Sequence, residues 1–428
     1  MGDISAGFTI PKKYQDELEY AEISDHRSDA EILESLSCYS PVTTEKTIWG
    51  FWHEGLKHMP SWCQRNVIDW VRINPGWSVR ILDNIPDSPH YALKYVSKDL
   101  LPAAFVDGKM DGSCIGPHSA DLLRGACLYT YGGAWLDVGA ILTRSIDRIA
   151  WKQLEDPGSP FQVAAPHSVF ALMIPDKSPS VLSEKKSLIP SVAVFKQCVA
   201  NHFFLARKGD PFIKHWHDLF AYLWSDKTNI DGIIKHPLLA ASVPTILAQY
   251  DAVAAHLWDW KISSEKALEY VTQIATWSHL CSNEDTGDGF SPADYWQKHI
   301  YLFDAAEDWP AENTLGFAGS GEKIMNLLAL RRDGDKDNDQ YKQAEDLVWK
   351  ILAKSCMQKV THAALLTFSP HLGTLWDMPE NEGKDRAPGT FGELLRYGSV
   401  HFIQKRETVP RIPAPKPEVT WKKGLFDP

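Results

Sequence analysis

The feature that most constrains the fold is a strand–helix–strand succession near the start of the chain. The apolar segment Thr47–Trp52 predicts a buried strand, and a helix is predicted from Pro60–Ser61 to the turn that begins at Asn74. A second strand, Trp77–Asp83, follows this turn. The order is typical of a βαβ unit, and it predicts a parallel sheet with helices on both faces.

The composition supports a folded protein and limits its partners. The 428 residues are 44% hydrophobic and 23% charged, which is typical of a globular chain. The formal net charge of -11 argues against a nucleic-acid ligand, because nucleic-acid binding needs clustered Lys and Arg. No apolar run approaches the ~20 residues of a membrane-spanning helix. The cysteines are scattered without a CxxC pair, and the N-terminus has no secretory signal, so the sequence predicts a cytoplasmic protein.

The most informative stretch for chemistry begins with a predicted helix that runs from Ser119, its N-cap, to Tyr131. Asp121 and Arg124 are three positions apart and therefore lie on one face of this helix. The helix dipole favours a carboxylate in the first turn, where this prediction puts Asp121. For this pair alone, an ion pair within a capped helix is the better explanation.

The turn and the strand after this helix add a functional interpretation. Gly132-Gly133 can bring the end of the helix next to a strand without side-chain obstruction. Asp137 ends that strand, where a carboxylate can hold a divalent cation that bridges two phosphates. Arg124 can bind a phosphate in a fork, and Asp121 can accept hydrogen bonds from sugar hydroxyls.

Three sequence segments resemble one enzyme family. The run SADLLRGACLYTYGGAWLDVG is similar to the SDxxR…YGGxYxDxD signature of glycosyltransferases with a GT-A fold. TIWGFWHEG and PSWCQRNVIDWVRINPGWSVRILD resemble the IWxxW and W…NPGxxxxxxD segments of the same family. The likeness covers Thr47–Ala165 and is weaker at 201–206 and 211–212. Within the family, the likeness is strongest to the capsular polysaccharide synthesis proteins and to glycosyltransferase family 32. The glucosylating clostridial toxins have a similar arrangement of motif residues.

The resemblance implies a fold, a domain organisation and an activity. The fold is α/β, with a GT-A-like nucleotide-sugar-binding domain whose mostly parallel central sheet is flanked by helices, together with additional helices. Residues 46–405 would form the catalytic domain. Outside it, the charged N-terminal stretch with a loose apolar face predicts a helical extension at residues 1–45, and the Pro- and Lys-rich composition predicts a tail at residues 406–428. The activity would be hexosyl transfer from a UDP- or GDP-sugar to a hydroxyl-bearing small molecule, glycan or lipid, with retention of configuration.

The resemblance also implies roles for individual residues that bind the donor. Trp49 would stack on or lie beside the nucleotide base. Asp121 would bind the donor sugar and Arg124 the sugar or the diphosphate, and both are catalytic candidates. Trp135 occupies the aromatic position just before the metal-binding motif. Asp83 is a further donor-binding candidate, because ligands of open parallel sheets bind beyond the carboxyl ends of the strands.

The metal site that the resemblance implies is incomplete. Asp137 completes the predicted catalytic set as the first acid of the DxD motif, but Gly139 stands where many family members have the second acid. A manganese or magnesium ion would then depend on Asp137, the diphosphate, water and one late ligand. His371 is the candidate for that ligand, since it follows a late strand predicted over residues 363–368. Metal dependence is a hypothesis at this point.

Two alternatives to a working transferase remain. Gly139 motivates a degenerate family member that binds a sugar nucleotide or a glycan without turning it over. A glycoside hydrolase would need two carboxylates that face each other across the scissile bond at a set distance. The sequence offers no pair with that signature, so this class ranks low.

Overall fold

The chain has an α/β fold, described at residues 8–167, 198–240, 243, 259–304, 321–360, 365–417 and 419–428 of a computed structural model. The strands of these residues are β1 (Leu18–Tyr20), β2 (Thr47–Phe51), β3 (Ser78–Leu82), β4 (Gly133–Leu136), β5 (Ala140–Leu142), β6 (Val163–His167), β7 (Phe203–Ala206), β8 (Asn283–Asp285), β9 (Ile300–Asp304), β10 (Met357–Lys359), β11 (Phe402–Gln404), β12 (Arg411–Ile412) and β13 (Trp421–Lys422). The α-helices are α1 (Asp29–Leu36), α2 (Ser61–Ile73), α3 (Ala103–Val106), α4 (Ile115–Tyr131), α5 (Lys152–Glu155), α6 (Pro211–Leu223), α7 (Pro237–Ala240), α8 (Ser264–Tyr270), α9 (Thr272–Cys281), α10 (Pro292–His299), α11 (Gly321–Ala329), α12 (Asp339–Lys354), α13 (Leu372–Trp376) and α14 (Phe391–His401). None of the helices in the described part of the chain has the length and apolar character needed to cross a membrane.

A central sheet of seven strands organises the described residues, in the order β12-β9-β6-β7-β4-β2-β3. β2 is parallel to both β3 and β4, and β6 is parallel to β9. β7 runs antiparallel to both of its neighbours, and β12 runs antiparallel to β9. Five strands therefore share one direction, which confirms the predicted mostly parallel sheet.

Helices cover both faces of this sheet. Successive residues of a strand point to opposite sides, so each strand contributes side chains to two separate cores. Ile48 and Ala134 lie in one hydrophobic core together with Trp62 of α2. Their neighbours Trp49 and Trp135 lie in a second core, which α4 and α6 cover from the other side. β2, α2 and β3 form the predicted βαβ unit, with its helix on the first of these two faces.

The helix predicted from Ser119 begins earlier than expected. α4 starts at Ile115, and its N-cap is Cys114 rather than Ser119. Pro117 lies in the first turn, where its missing N–H removes no helical hydrogen bond, so the helix extends through it. Asp121 consequently lies beyond the first turn, and the helix-dipole argument for its position does not apply.

The two termini contain strand pairings that the sequence did not reveal. Within described residues 8–45, α1 is the single α-helix, and β1 pairs with β11 near the end of the predicted catalytic domain. In the tail, β12 adds an edge strand to the central sheet beside β9. Such pairings join segments far apart in sequence, which local periodicity does not detect. The domain boundaries at residues 45 and 405 stay a prediction.

The late strand predicted over residues 363–368 does not form where the structure describes it, from residue 365 onward; its first two residues lie outside the described part of the chain. Residues 365–368 form a turn and a bend with one isolated bridge, between Thr367 and Trp260. Phe368 is 70% exposed, so the apolar run does not enter the core as a buried strand would. His371 therefore does not follow a strand; it precedes α13 as its N-cap residue.

Candidate active site

The predicted catalytic stretch lies at the carboxyl edge of the central sheet. The turn from α4 into β4 needs positive φ angles at Gly132 (72°) and Gly133 (95°), which glycine adopts without a steric penalty. β4 is parallel to β2, and Asp137 follows its last residue. Asp83 leaves the parallel strand β3 at the same edge. The predicted placement of both carboxylates beyond strand ends is confirmed.

Three donors hold the carboxylate of Asp137. Its Oδ1 accepts hydrogen bonds from Trp135 Nε1 (3.1 Å) and Arg124 Nη2 (3.2 Å), and its Oδ2 accepts one from Lys359 Nζ (2.8 Å). Burial favours the neutral acid, but Lys359 and Arg124 outweigh it and hold the pKa of Asp137 well below its usual range. The side chains of Asp137 and Lys359 are 24% and 18% exposed, so a ligand can reach both.

Arg124 connects the two acids of the predicted catalytic set. Its Nη1 donates to Asp121 Oδ1 (2.5 Å), and its Nη2 donates to Asp137. The same Nη1 donates to Gln273, and the guanidinium lies over the ring of Trp135, 5.3 Å from its centroid. The side chain is only 2% exposed. Arg124 therefore orients both carboxylates from inside the protein, and the local ion pair with Asp121 is part of a longer chain of contacts.

Asp121 is fixed by a network that includes its own helix and two distant segments of the chain. Asn201 Nδ2 donates to Asp121 Oδ1 (3.3 Å) and to Gln273 Oε1 (3.1 Å), while Gln273 Nε2 donates to the backbone carbonyl of Asp121 (2.5 Å). His118 Nδ1 lies 3.4 Å from Asp121 Oδ2. Burial lowers the pKa of His118, but Asp121 and Cys114 outweigh it and raise the pKa to about 9. His118 is therefore a cation at neutral pH.

The charged groups of this cluster leave an excess of positive charge. Asp121 and Asp137 are its carboxylates, and Arg124, Lys359 and protonated His118 are its cations. Two negative and three positive groups give one net positive charge. A site of this sign at the open edge of a sheet favours an anionic ligand.

The two tryptophans predicted to contact the donor are part of the core. Trp49 is fully buried; its Nε1 donates to the carbonyl of Gly132 (3.1 Å), and its ring lies 5.3 Å from that of Tyr131. The ring has no exposed face in this structure, and the role of Trp49 beside the nucleotide base stays a prediction. Trp135 is also fully buried, and it acts on the site through its hydrogen bond to Asp137.

The carboxylate of Asp83 organises its own loop. It is 3% exposed, and its Oδ2 accepts a hydrogen bond from the Ser88 hydroxyl. Its Oδ1 accepts a hydrogen bond from the backbone N–H of Ile85 (3.1 Å). The next residue, Asn84, donates to the hydroxyl of Ser119 (3.4 Å) and so connects this loop to α4. Both oxygens of Asp83 bind the following turn, and its donor contact stays a prediction.

Comparison with known proteins identifies the family. The sequence pattern of the capsular polysaccharide synthesis proteins matches residues 9–240, more than half of the chain. The chain belongs to the capsular polysaccharide synthesis protein family. It is 46% identical to a probable glycosyltransferase of Fusarium pseudograminearum, over 98% of this chain and 99% of that protein.

Two further relatives of this capsular polysaccharide synthesis family member are named O-glycosyltransferases. One, from Annulohypoxylon truncatum, is 36% identical over 94% of this chain and 91% of its own length. The other, from Phomopsis amygdali, is 34% identical over 91% of both chains. The protein is therefore a glycosyltransferase, an enzyme with a sugar donor and an acceptor, and the catalytic interpretation is favoured over a degenerate binding protein.

The residues around Asp137 do not fit the divalent cation that the family motif implies. Cationic side chains already bind both of its carboxylate oxygens. A Cβ at Gly139 would overlap the carbonyl oxygen of Val360, so the second acid of the motif has no room. His371 is 3% exposed at the start of α13, and the described residues contain no cluster of three or more His, Cys, Asp or Glu side chains that could hold a metal ion. Asp137 and His371 are the residues predicted to bind the metal ion. Among the described residues, no set of metal-ligating side chains accompanies either of them.

Sequence reasoning missed three residues of the site. Lys359 lies 222 positions from Asp137 along the chain, and Gln273 lies 149 positions from Arg124. No motif surrounds either of them, so nothing in the sequence associates them with the family signature. Asn201 begins the segment with weaker family likeness, and that likeness was the one available signal for it.

Proposed function

We propose that the enzyme transfers a hexose from a UDP- or GDP-sugar to a hydroxyl group of its acceptor. The observation that carries this proposal is the positively charged cluster around Asp137, at the carboxyl edge of the sheet. Ligands of open α/β sheets bind at this edge. A nucleotide sugar has two negatively charged phosphates, which match the sign of the cluster.

The burial of each side chain supports a division of roles. Asp137 and Lys359 are partly exposed, and in this proposal they contact the donor. Arg124 and Asp121 are only 2% and 9% exposed at their side chains, so they act as positioning residues behind Asp137. Preorganised groups of this kind stabilise a developing charge without having to reorganise during the reaction.

The state of the carboxylates supports transfer with retention. An inverting enzyme needs a base for the proton of the acceptor hydroxyl, and such a base works best with a pKa near the operating pH. The pKa of Asp137 is held far below that range, and both of its oxygens accept hydrogen bonds from cations. In the retaining route, the departing diphosphate takes the proton. Proton NMR of the product gives the anomeric configuration, and an inverted linkage would contradict this part of the proposal.

Two observations support the acceptor type and the cellular location that we propose. Two of the relatives are named O-glycosyltransferases, which favours an oxygen atom as the acceptor here. All seven cysteines are free thiols in the structure, including five that are buried. Free thiols are typical of reducing compartments, so we place the enzyme in the cytoplasm.

The experiment that tests this function is a panel of UDP- and GDP-hexoses incubated with the full chain, with and without simple hydroxyl acceptors. Release of nucleoside diphosphate is measured for each donor. One donor with clear turnover is expected, and substitution of Asp137 should lower that turnover by about a hundredfold or more. If no member of the panel is bound or cleaved, the nucleotide-sugar proposal is wrong.

A further inference from the structure

Lys359 reaches the site through a backbone ladder that fixes its position. β10 pairs antiparallel with β5, and Lys359 lies opposite Ala140. The ladder continues one step further, because the N–H of Val360 donates to the carbonyl of Gly139 (2.9 Å). The lysine is therefore aligned with the residues that follow Asp137, and its Nζ lies 2.8 Å from Asp137 Oδ2.

The same ladder removes the room for a second acid. A Cβ built on Gly139 would overlap the carbonyl oxygen of Val360 and lie 3.6 Å from the ammonium of Lys359. A carboxylate at position 139 would thus compete for the space that Val360 and Lys359 fill. The glycine and the lysine belong to one arrangement, in which a cationic side chain lies beside the first acid of the motif.

The ammonium has the donors that a diphosphate requires. Lys359 carries three N–H donors, and Asp137 accepts one of them. The side chain is 18% exposed, so the remaining donors are accessible from the open edge of the sheet. Arg124, behind Asp137, compensates the charge of that carboxylate. The positive charge of Lys359 is then available for an anionic ligand.

We propose that Lys359 replaces the divalent cation in this enzyme and binds the diphosphate of the donor directly. This inference rests on the proposed nucleotide-sugar function. In the transfer, the bond between the anomeric carbon and the diphosphate oxygen breaks, and its electron pair stays on that oxygen. The acceptor oxygen forms the new bond to the anomeric carbon, and its proton passes to the departing diphosphate. Lys359 stabilises the charge that develops on the diphosphate, which is the task that a metal performs in other transferases.

Binding of UDP and GDP to the full chain tests this proposal without requiring turnover. The Kd of each nucleotide is measured by titration calorimetry, once with excess EDTA and once with added manganese chloride. The same Kd is expected in both conditions. A Kd that improves about tenfold or more with manganese, equivalent to about 1.4 kcal/mol, would overturn the role of Lys359 while leaving the proposed function intact. If neither nucleotide binds in either condition, the proposed function fails, and this inference fails with it.

Substitution of the lysine separates a ligand contact from a structural role. Lys359→Met should weaken nucleotide binding by about tenfold to a hundredfold, because a hydrogen bond to a charged group is lost. Lys359→Arg keeps the charge and should restore most of the affinity. Lys354→Met, the same change at a 59% exposed lysine of α12, is the matched control and should leave the Kd unchanged.

The Lys359→Met variant also provides a signature that a purely structural lysine would not give. Removal of the ammonium frees Oδ2 of Asp137 for another cation. Manganese should therefore strengthen nucleotide binding in this variant and have no effect on the wild-type protein. An unchanged affinity in folded Lys359→Met, verified by thermal unfolding, would contradict the proposal.

Discussion

Asp83 and Asp137 have the same position in the sequence pattern and different environments in the structure. Each carboxylate follows one of two strands that flank β2, and each lies at the carboxyl edge of the central sheet. The oxygens of Asp83 bind Ser88 and Ile85, which are at most five positions away. Those of Asp137 bind Arg124 and, from 222 positions away, Lys359.

The difference shows what distinguishes a loop anchor from a site residue. A carboxylate whose partners all lie in its own turn stabilises that turn, as Asp83 does through Ser88 and Ile85. Asp137 is held by Arg124 and Lys359 from other segments of the chain. It keeps the ammonium of Lys359 in place where both side chains are partly exposed. In this molecule, the two carboxylates share a position at strand ends and differ in the range of their partners, and the proposed donor site lies at the one with distant partners.

The largest expected effect is that of Asp137→Asn on catalysis. The neutral amide loses the charge that orients Lys359 and Arg124, so kcat should fall by about a hundredfold to a thousandfold, as for other preorganised electrostatic groups. Steady-state release of nucleoside diphosphate measures the change, and thermal unfolding verifies that the variant is folded. A kcat within about tenfold of the wild-type value would remove the functional difference between Asp137 and Asp83.

A second prediction concerns Asp121, which combines a local partner, His118, with partners from distant segments. The pKa of His118 is raised from 6.5 to about 9, so its stabilising contribution is complete below pH 6.5 and is lost as the pH rises through 9. The free energy of unfolding should fall by about 2 to 3 kcal/mol across this window, relative to the His118→Gln variant. Urea unfolding at a series of pH values measures it. Parallel pH profiles for the two proteins would show that the local contact contributes nothing.

The close contact of Gly139 with Val360 gives a third prediction. Gly139→Ala should lower the free energy of unfolding by about 2 kcal/mol, because the new methyl group overlaps a backbone carbonyl. Gly158→Ala is the matched control, since a Cβ there meets its nearest neighbour, Asp156, at 3.4 Å in an exposed turn. Urea unfolding compares the two variants. Equal stability would mean that the pairing beside Asp137 is looser than the structure shows.

The smallest expected effect is that of Asp83→Asn. An amide retains one oxygen acceptor for the turn, so the loss of stability should be about 1 kcal/mol. The change in kcat should be far smaller than that of Asp137→Asn, since the Asp83 loop is anchored mainly to itself. Urea unfolding and steady-state kinetics on the same preparations measure both effects. A kcat loss as large as that of Asp137→Asn would reverse the comparison.

The sequence predicted those parts of the site whose geometry is local. Asp121 and Arg124 lie on one helix, and the two glycines determine how the chain turns into the strand before Asp137. The family signature covers this whole stretch. The central βαβ unit was predicted for the same reason, since strand, helix and turn signals follow each other directly.

The remaining features depend on pairings between segments that are distant in sequence. Nothing around Lys359 identifies it as a site residue, because β5, which aligns it, lies about two hundred positions earlier. The burial of Trp49 depends on Tyr131 and the turn after α4, and not on its own strand. The strand β12 was missed in the tail because its partner β9 lies more than a hundred positions earlier.

In the proposed complex, the donor diphosphate binds at the Asp137 edge and contacts Lys359. A crystal structure of the full chain with UDP or GDP and manganese, with anomalous data at the manganese edge, tests this claim most directly. We expect diphosphate density within hydrogen-bonding distance of Lys359 Nζ and no anomalous peak at Asp137. A manganese peak on Asp137, or a diphosphate bound beside Asp83, would contradict it.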